Sequence, residues 1–384
     1  MSVSYLDRQM FAVLSPTITR ELGLSDAQYG WLNSAFAFAY LVGALVSGRV
    51  IDRVGSRRGL LGALGVWTLV AALHVVSAGF ASLLALRIAL GLAESPSFLG
   101  AAHAVRTGVS EVRRPTAIGL LYSGSSIGAA LAPLIGLSLA ANLGWRSAFL
   151  ASALLGLLWI PLWLSATSKV PSLMQHVTPA TPQLQRPPSA PVIRAGLLML
   201  GVAPVVAFFL AWAPKFLVAT YGSNGQEMAT RLWIPPLCFD SGSLLFGACA
   251  SWALRKRPHQ PAPYRALAIP ALSLAVCVAI TPRAASSWLA MAWSGLALIG
   301  AGGLYAILTA DLLTRVPAAS TGMAAGFMAA AQSIAQVIAH PSIGTLVQRT
   351  GSYAWACAAL ALWLVPLTAA WWLWQPARAQ SAQA

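Results

Sequence analysis

Apolar residues run along this chain in blocks too long for a soluble fold. Residues 27–48, 59–86, 115–145, 147–168, 195–214, 266–282, 284–310, 316–348 and 350–377 contain no Asp, Glu, Lys or Arg. Residues 232–254 are broken only by Asp240, and 88–105 only by Glu94. About 20 helical residues cross the hydrocarbon of a bilayer. The eleven blocks therefore predict eleven spanning helices, and residues 2–19 predict a shorter first one. The alternating strands of a membrane barrel are not seen. The pattern predicts an all-α membrane protein with 12 transmembrane helices. A stretch rich in Pro, Ser, Thr and Gln, residues 167–191, reads as a cytoplasmic linker. It divides a six-helix bundle at 1–166 from a second at 192–377, followed by a short cytoplasmic tail at 378–384. "APLIG" at 132–136 and "HPSIG" at 340–344 fall near the ends of the fifth and eleventh helices and weakly echo each other. Two parallel repeats of this kind are a plan of secondary transporters.

Composition agrees with the pattern. The 384 residues are 58% hydrophobic and 9% charged, against about 25% charged in soluble domains. The formal charge of +15 would point to nucleic acid in a soluble protein. Here the basic residues fall between the apolar runs and report topology instead. With the amino terminus inside, the cytoplasmic side collects Arg49, Arg53, Arg57, Arg58, Arg106, Arg113, Arg114, Lys169, Arg186, Arg194, Arg255, Lys256, Arg257, Arg265, Arg315 and Arg378. The outside holds only Arg20, Arg146, Lys215, Arg231, Arg283 and Arg349. Both termini are expected in the cytoplasm. Cys238, Cys249, Cys277 and Cys357 all lie in apolar runs without metal-ligand spacing, so neither a disulfide nor a metal site is expected.

Between the second and third predicted helices stands "GRVIDRVGSRR", residues 48–58. It resembles the signature loop of the major facilitator superfamily and sits where that superfamily carries it. The resemblance implies that Gly48, Asp52, Arg53, Gly55, Arg57 and Arg58 form a cytoplasmic gate, with Gly48 allowing close helix packing. The second half holds a degenerate copy, "GACASWALRKR" at 247–257, with Ser251 in place of the acid.

Five ionisable side chains interrupt the spans: Asp7, Arg8, Arg87, Glu94 and Asp240. A charge at the bilayer centre costs several kcal/mol unless it is paired or faces water, so each is a functional candidate. Arg87 and Glu94 are two helical turns apart, on one face and roughly 10 Å from each other. The structural reading of Asp7 and Arg87 is an ion pair between the first and fourth helices, which is compatible with transport. Tyr5, Tyr40, Tyr122, Ser125, Ser126 and Trp212 are polar or aromatic groups within spans. Gln332, Gln336 and His340 follow at intervals of four along one helix face.

The motifs "SYLDRQM" (4–10), "SAFAFAY" (34–40), "LRIALGLAESPSF" (86–98) and "YSGSSIGAALAP" (122–133) resemble the anion:cation symporter family, hexuronate and galactonate transporters in particular. "WAPKFL" (212–217) and "TADLLTR" (309–315) extend the likeness into the second half. The resemblance implies a multi-pass inner-membrane protein that imports sugar acids together with protons. By position it makes Asp7 and Glu94 the proton-titrating acids and Arg87 the partner of Asp7. It places Tyr5, Arg8, Tyr40 and Ser125 at the substrate. An Arg fork suits a carboxylate, and hydroxyls suit a polyol. Trp212 and Gln332 are the candidate contacts of the second half, where "GFMAAAQ" (326–332) departs from the family by offering no polar residue before Gln332.

Expected partners are a small organic anion, protons and lipid, with no cofactor, no metal and no nucleic acid, and a monomer is expected. Drug/proton antiport is the alternative, disfavoured because Gly128 is followed by Ala129 rather than Pro. A transporter-like solute receptor would want more intracellular sequence. An enzyme would want a nucleophile motif or phosphate loop, and none is present. Residues 1–19 give at most about 28 Å of helix, so a first helix truncated at its amino-terminal end is also expected.

Overall fold

The computed structural model describes residues 1–170, 173, 189–256, 262–317 and 320–376, the side chains of Glu111, Pro115 and Tyr122 aside. Most of the predicted linker, the predicted tail and the basic residues Arg186, Arg257 and Arg378 lie outside that set. The described residues are helical and turn, without strands. Nine helices among them are long and apolar enough to cross a membrane.

The predicted first span forms two short helices, α1 (Ser2–Val13) and α2 (Ser15–Glu21), stepping at Leu14 ahead of Pro16. Next comes α3 (Asp26–Leu73), opened by a reciprocal cap. Ser25 Oγ accepts from the Gln28 backbone N–H at 3.2 Å, and Gln28 Oε1 accepts from the Ser25 N–H at 2.9 Å. With the single turn that follows, this element covers 51 residues, Asp26–Val76. A straight helix of that length would reach about 75 Å, far beyond a bilayer. It is broken at Gly55, whose φ of 78° and ψ of 156° no side-chain-bearing residue adopts without strain. The charge-free run 59–86 is thus not one helix. The second limb of α3 ends before a turn at residues 77–79, and α4 (Phe80–Glu94) begins there. Ser82 Oγ accepts from the backbone N–H groups of Ala78 and Gly79 at that start. No residue of the turn is charged, so a pattern of charges passes over it. A break at Ser95–Pro96 separates α4 from α5 (Pro96–Gly108), Pro96 having no N–H to continue the ladder.

Two long helices follow, α6 (Arg114–Leu143) and α7 (Trp145–Ser168). Then come α8 (Ser189–Ala207), a π-helical turn at Phe208–Trp212, α9 (Ala213–Tyr221) and the short α10 (Gly225–Ala229). The chain continues through α11 (Ile234–Lys256), α12 (Tyr264–Ala275), α13 (Ser287–Leu313), α14 (Thr321–Thr350) and α15 (Tyr353–Leu373). The run 266–282 delivers only the short α12 and two single turns.

The chain forms two compact units: Met1–Pro182 with Ser223–Trp233, and Gln183–Gly222 with Ile234–Ala384. In the first, α1 packs on α6 and α7, and α3 on α4, α5 and α7. Its core joins Phe36, Leu64, Trp67, Val70, Leu90 and Ala93. The close approach of α3 and α4 needs Gly91, where a Cβ would come within 2.5 Å of the Phe36 carbonyl oxygen. Gly48, expected to permit close packing, does not do so, because a Cβ there meets open space. In the second unit α8 packs on α13, α14 and α15, while α11 lies against α13. There a Cβ at Gly242 or Gly302 would run into the opposing backbone. Leu45, Leu69, Leu158, Leu244 and Leu362 are largely exposed, as a lipid solvent allows and water does not.

Candidate functional site

Four charged residues of the first unit, Asp7, Arg8, Arg87 and Glu94, gather where α1, α3, α4 and α7 meet. On α1, Ser4 and Asp7 are buried and Arg8 is half-buried; on α4, Arg87 and Glu94 are buried. The spacing on α1 is that of one helix face, since residues three and four apart stand over each other. Glu94 receives two donors on one oxygen. Arg8 Nε lies 2.7 Å from its Oε2, and Ser4 Oγ donates to the same oxygen at 3.0 Å. The Arg8 guanidinium also stacks on Tyr40 at 4.4 Å and lies over Phe36 and Tyr5 at 5.2 and 5.3 Å. Three aromatic faces therefore surround a cation that one carboxylate neutralises.

Asp7 and Arg87 do not pair, contrary to the expectation from the resemblance. Asp7 Oδ2 instead accepts the indole N–H of Trp67 at 3.0 Å. The Arg87 guanidinium lies 4.4 Å from the centroids of both Phe11 and Phe36, and its Nε and Nη1 have no acceptor. The pairing of these charges depends on the rotation of each helix about its axis. Residue spacing within one helix does not carry that information. Ser125 is buried and spends its hydroxyl on the Leu121 carbonyl at 3.2 Å, inside its own helix. Asp240 is half-buried on α11.

In the second unit, Trp212 is wholly buried in the π-helical turn, and its Nε1 donates to His340 Nδ1 at 3.2 Å. Such turns inside helices are frequent at functional sites. Gln332 and Gln336 are half-buried on α14, and His340, one turn further, is buried.

The loop expected to gate has its backbone break at Gly55. Arg57 turns onto α7, where its Nε donates to Thr167 Oγ1 at 3.0 Å, and Trp163 Nε1 donates to the Arg57 carbonyl at 3.2 Å. Asp52, Arg53 and Arg58 are exposed, and Gly48 is half-exposed.

Two further clusters escape sequence reasoning. In the second unit, Asp311 is ion-paired with both Arg194 and Arg315, the latter through its Nε at 3.0 Å to each carboxylate oxygen. Arg194 also stacks on Trp371 at 4.1 Å and donates from Nε to that residue's carbonyl at 2.9 Å. Arg315 Nη2 reaches Gln375 Oε1 at 3.0 Å. Arg194 and Arg315 end apolar runs and so read as topology charges. The i, i+4 spacing of Asp311 and Arg315 was the available signal. In the first unit, Glu21 pairs with Arg146 and accepts from Trp145 Nε1 at 2.8 Å. Arg146 also donates to the carbonyls of Val75 and Ser77, tying three chain segments together. Hydrogen bonding to Arg146 holds the Glu21 carboxyl below its ordinary range.

The family model described as Major Facilitator Superfamily matches residues 1–340. The hexuronate transporter of Bacillus subtilis (strain 168) is 25% identical over 371 residues, covering 92% of this chain and 87% of that protein. The D-galactonate transporter of Escherichia coli O6:H1 is 25% identical over 378 residues, covering 91% and 87%. Among solved structures, a bacterial homolog of the human lysosomal transporter Spinster, inward-facing and unoccupied, aligns with a TM-score of 0.81 at 17% identity. That alignment covers 98% of this chain and 96% of the other.

Proposed function

Because the chain belongs to the Major Facilitator Superfamily, and is thus a multi-pass membrane transporter and not an enzyme, we propose that it imports a small sugar acid, a hexuronate or an aldonate, in symport with protons by alternating access. The relatives named for such substrates motivate the class. The observation that carries the reading is the α1–α4 cluster: two acids and two arginines held in an apolar unit, with Arg8 clasped to Glu94. A buried pair of this kind is costly and weak evidence for stability, so a working role accounts for it better.

In this reading Asp7 and Glu94 take up and release protons, and Arg87 supplies the nearby positive charge that favours release. Protonation of Glu94 frees Arg8 to hold the substrate carboxylate, and the hydroxyls of Tyr5, Tyr40 and Ser125 serve the polyol. In the second unit Trp212 and Gln332 are the candidate substrate contacts. The bundles 1–166 and 192–377 act as the moving halves, joined by the linker 167–191. The loop of Gly48, Asp52, Arg53, Gly55, Arg57 and Arg58 gates on the cytoplasmic side. The protein works as a monomer in the inner membrane with both termini inside.

The test is uptake of labelled glucuronate and galactonate into proteoliposomes under an imposed pH gradient. Asp7→Asn and Glu94→Gln should each abolish pH-driven accumulation. Undiminished accumulation in both variants would refute the reading.

A further inference from the structure

The residue that holds Asp7 belongs to no motif. Trp67 lies on the second limb of α3, packed with Phe36, Leu64, Val70, Leu90 and Ala93. By its neighbours it is core, and a Phe would fill that role without a polar atom to satisfy. An indole brings one N–H donor and no acceptor, and a buried Trp needs a partner for it. That partner is Asp7 Oδ2, 3.0 Å away and 60 residues distant in sequence. The carboxylate is only 3% exposed, and its other oxygen, Oδ1, accepts no hydrogen bond.

The groups around Asp7 make the two oxygens unequal. Ser152 faces the carboxylate from α7, but its hydroxyl is turned to the Phe149 carbonyl at 3.0 Å. Arg8, the next residue on α1, spends its Nε on Glu94. Glu94, from α4, is a like charge. Arg87, also from α4, is held between two aromatic rings. Trp67 from α3 thus donates directly to Oδ2 at 3.0 Å, with the Ser152 hydroxyl alongside the carboxylate from α7.

We infer that Trp67 is a positioning residue for proton transfer: its indole N–H fixes the Asp7 carboxyl so that Oδ1 takes and releases the proton. On uptake an O–H bond forms at Oδ1 and the negative charge is lost, while Oδ2 stays the acceptor of the indole. On release the O–H bond breaks, and the proton leaves to water while its electron pair remains on Oδ1. The inference rests on the proposed role of Asp7 as a proton carrier. A donor to a carboxylate favours its charged form, so Trp67 also sets the pH at which the site works.

Trp67→Phe keeps an aromatic ring and removes the donor, and Trp67→His returns a ring N–H. In proteoliposomes, Trp67→Phe should move the midpoint of the uptake pH profile upward by about one unit, the worth of one hydrogen bond to a charged group. Maximal uptake at acidic pH should be kept, and Trp67→His should move the midpoint back. If Asp7→Asn abolishes pH-driven uptake while Trp67→Phe leaves the profile where it was, the inference is overturned and the transport reading stands. If Asp7→Asn leaves pH-driven uptake intact, the proposed role of Asp7 as a proton carrier falls, and the role of Trp67 with it. Should Trp67→Phe fail to fold, infrared difference spectra of the unmodified protein between two pH values decide. The carboxyl C=O band that Asp7→Asn removes should absorb at a hydrogen-bonded position, and a free-carbonyl position overturns the inference.

Discussion

Arg8 Nε meets Glu94 Oε2 at 2.7 Å across 86 residues of sequence, and Ser4 adds a second donor to that same oxygen. Glu94 is completely buried, and these two groups are its hydrogen-bond donors. Removing Arg8 alone strands a buried carboxylate, which costs about 3–5 kcal/mol when a buried pair is broken from one side. Arg8→Ala should therefore lower the melting temperature in detergent strongly. Arg8→Ala with Glu94→Gln should recover much of the loss, because the neutral amide needs no counterion. A double-mutant cycle by thermal unfolding measures this. Purely additive losses would contradict the coupling.

Asp311 is ion-paired with two arginines at once, Arg194 and Arg315, all three buried in the second unit. Asp311→Asn leaves both cations without a counter-charge and should destabilise by about 3–5 kcal/mol. Arg315→Gln leaves the Arg194 pair intact and should cost clearly less. Fluorescence-detected thermal melts of the purified variants check the order.

The helices were legible in the sequence to the extent that lipid leaves a 20-residue apolar run few alternatives. The break at Gly55 was legible too, since it falls in the charged loop between two predicted spans. The turn at residues 77–79 was not, because it brings no charge into a run. Asp7, Arg8, Arg87 and Glu94 were legible because a charge inside an apolar span is expensive. Their partners were not. Ser4 and Trp67 look like ordinary helix and core residues, and only the packing of α1 against its neighbours turns their donors onto the acids. The Arg194–Asp311 pair was hidden for the opposite reason, its members looking like the basic and acidic ends of spans.

Gly48 and Gly55 occupy similar places in the motif but differ in what they tolerate. Gly55 has a backbone conformation nearly exclusive to glycine, and Gly48 is helical with open space at its Cβ position. Gly55→Ala should cost about 1–3 kcal/mol and impair uptake by straightening the break in α3. Gly48→Ala should be neutral or slightly stabilising, since alanine is the better helix former. Thermal melts and uptake of the two variants, run side by side, test the distinction. Equal effects would sink it.

Glu21 and Arg146 form an exposed clasp, so its contribution is small, below about 1 kcal/mol after screening by solvent and salt. Its pH dependence has a definite sign. The folded carboxyl titrates below its unfolded range because Arg146 hydrogen-bonds the charged form. The stabilisation is therefore present above the unfolded carboxyl's range, about pH 4.3, and is lost as pH falls through the folded one. Glu21→Gln should melt slightly below the unmodified protein at pH 7, and the difference should shrink as the pH is taken below 4. It should also shrink in high salt, where exposed charges are screened. A difference that persists unchanged at low pH would mean that Glu21 acts through its hydrogen bond to Trp145 rather than through its charge.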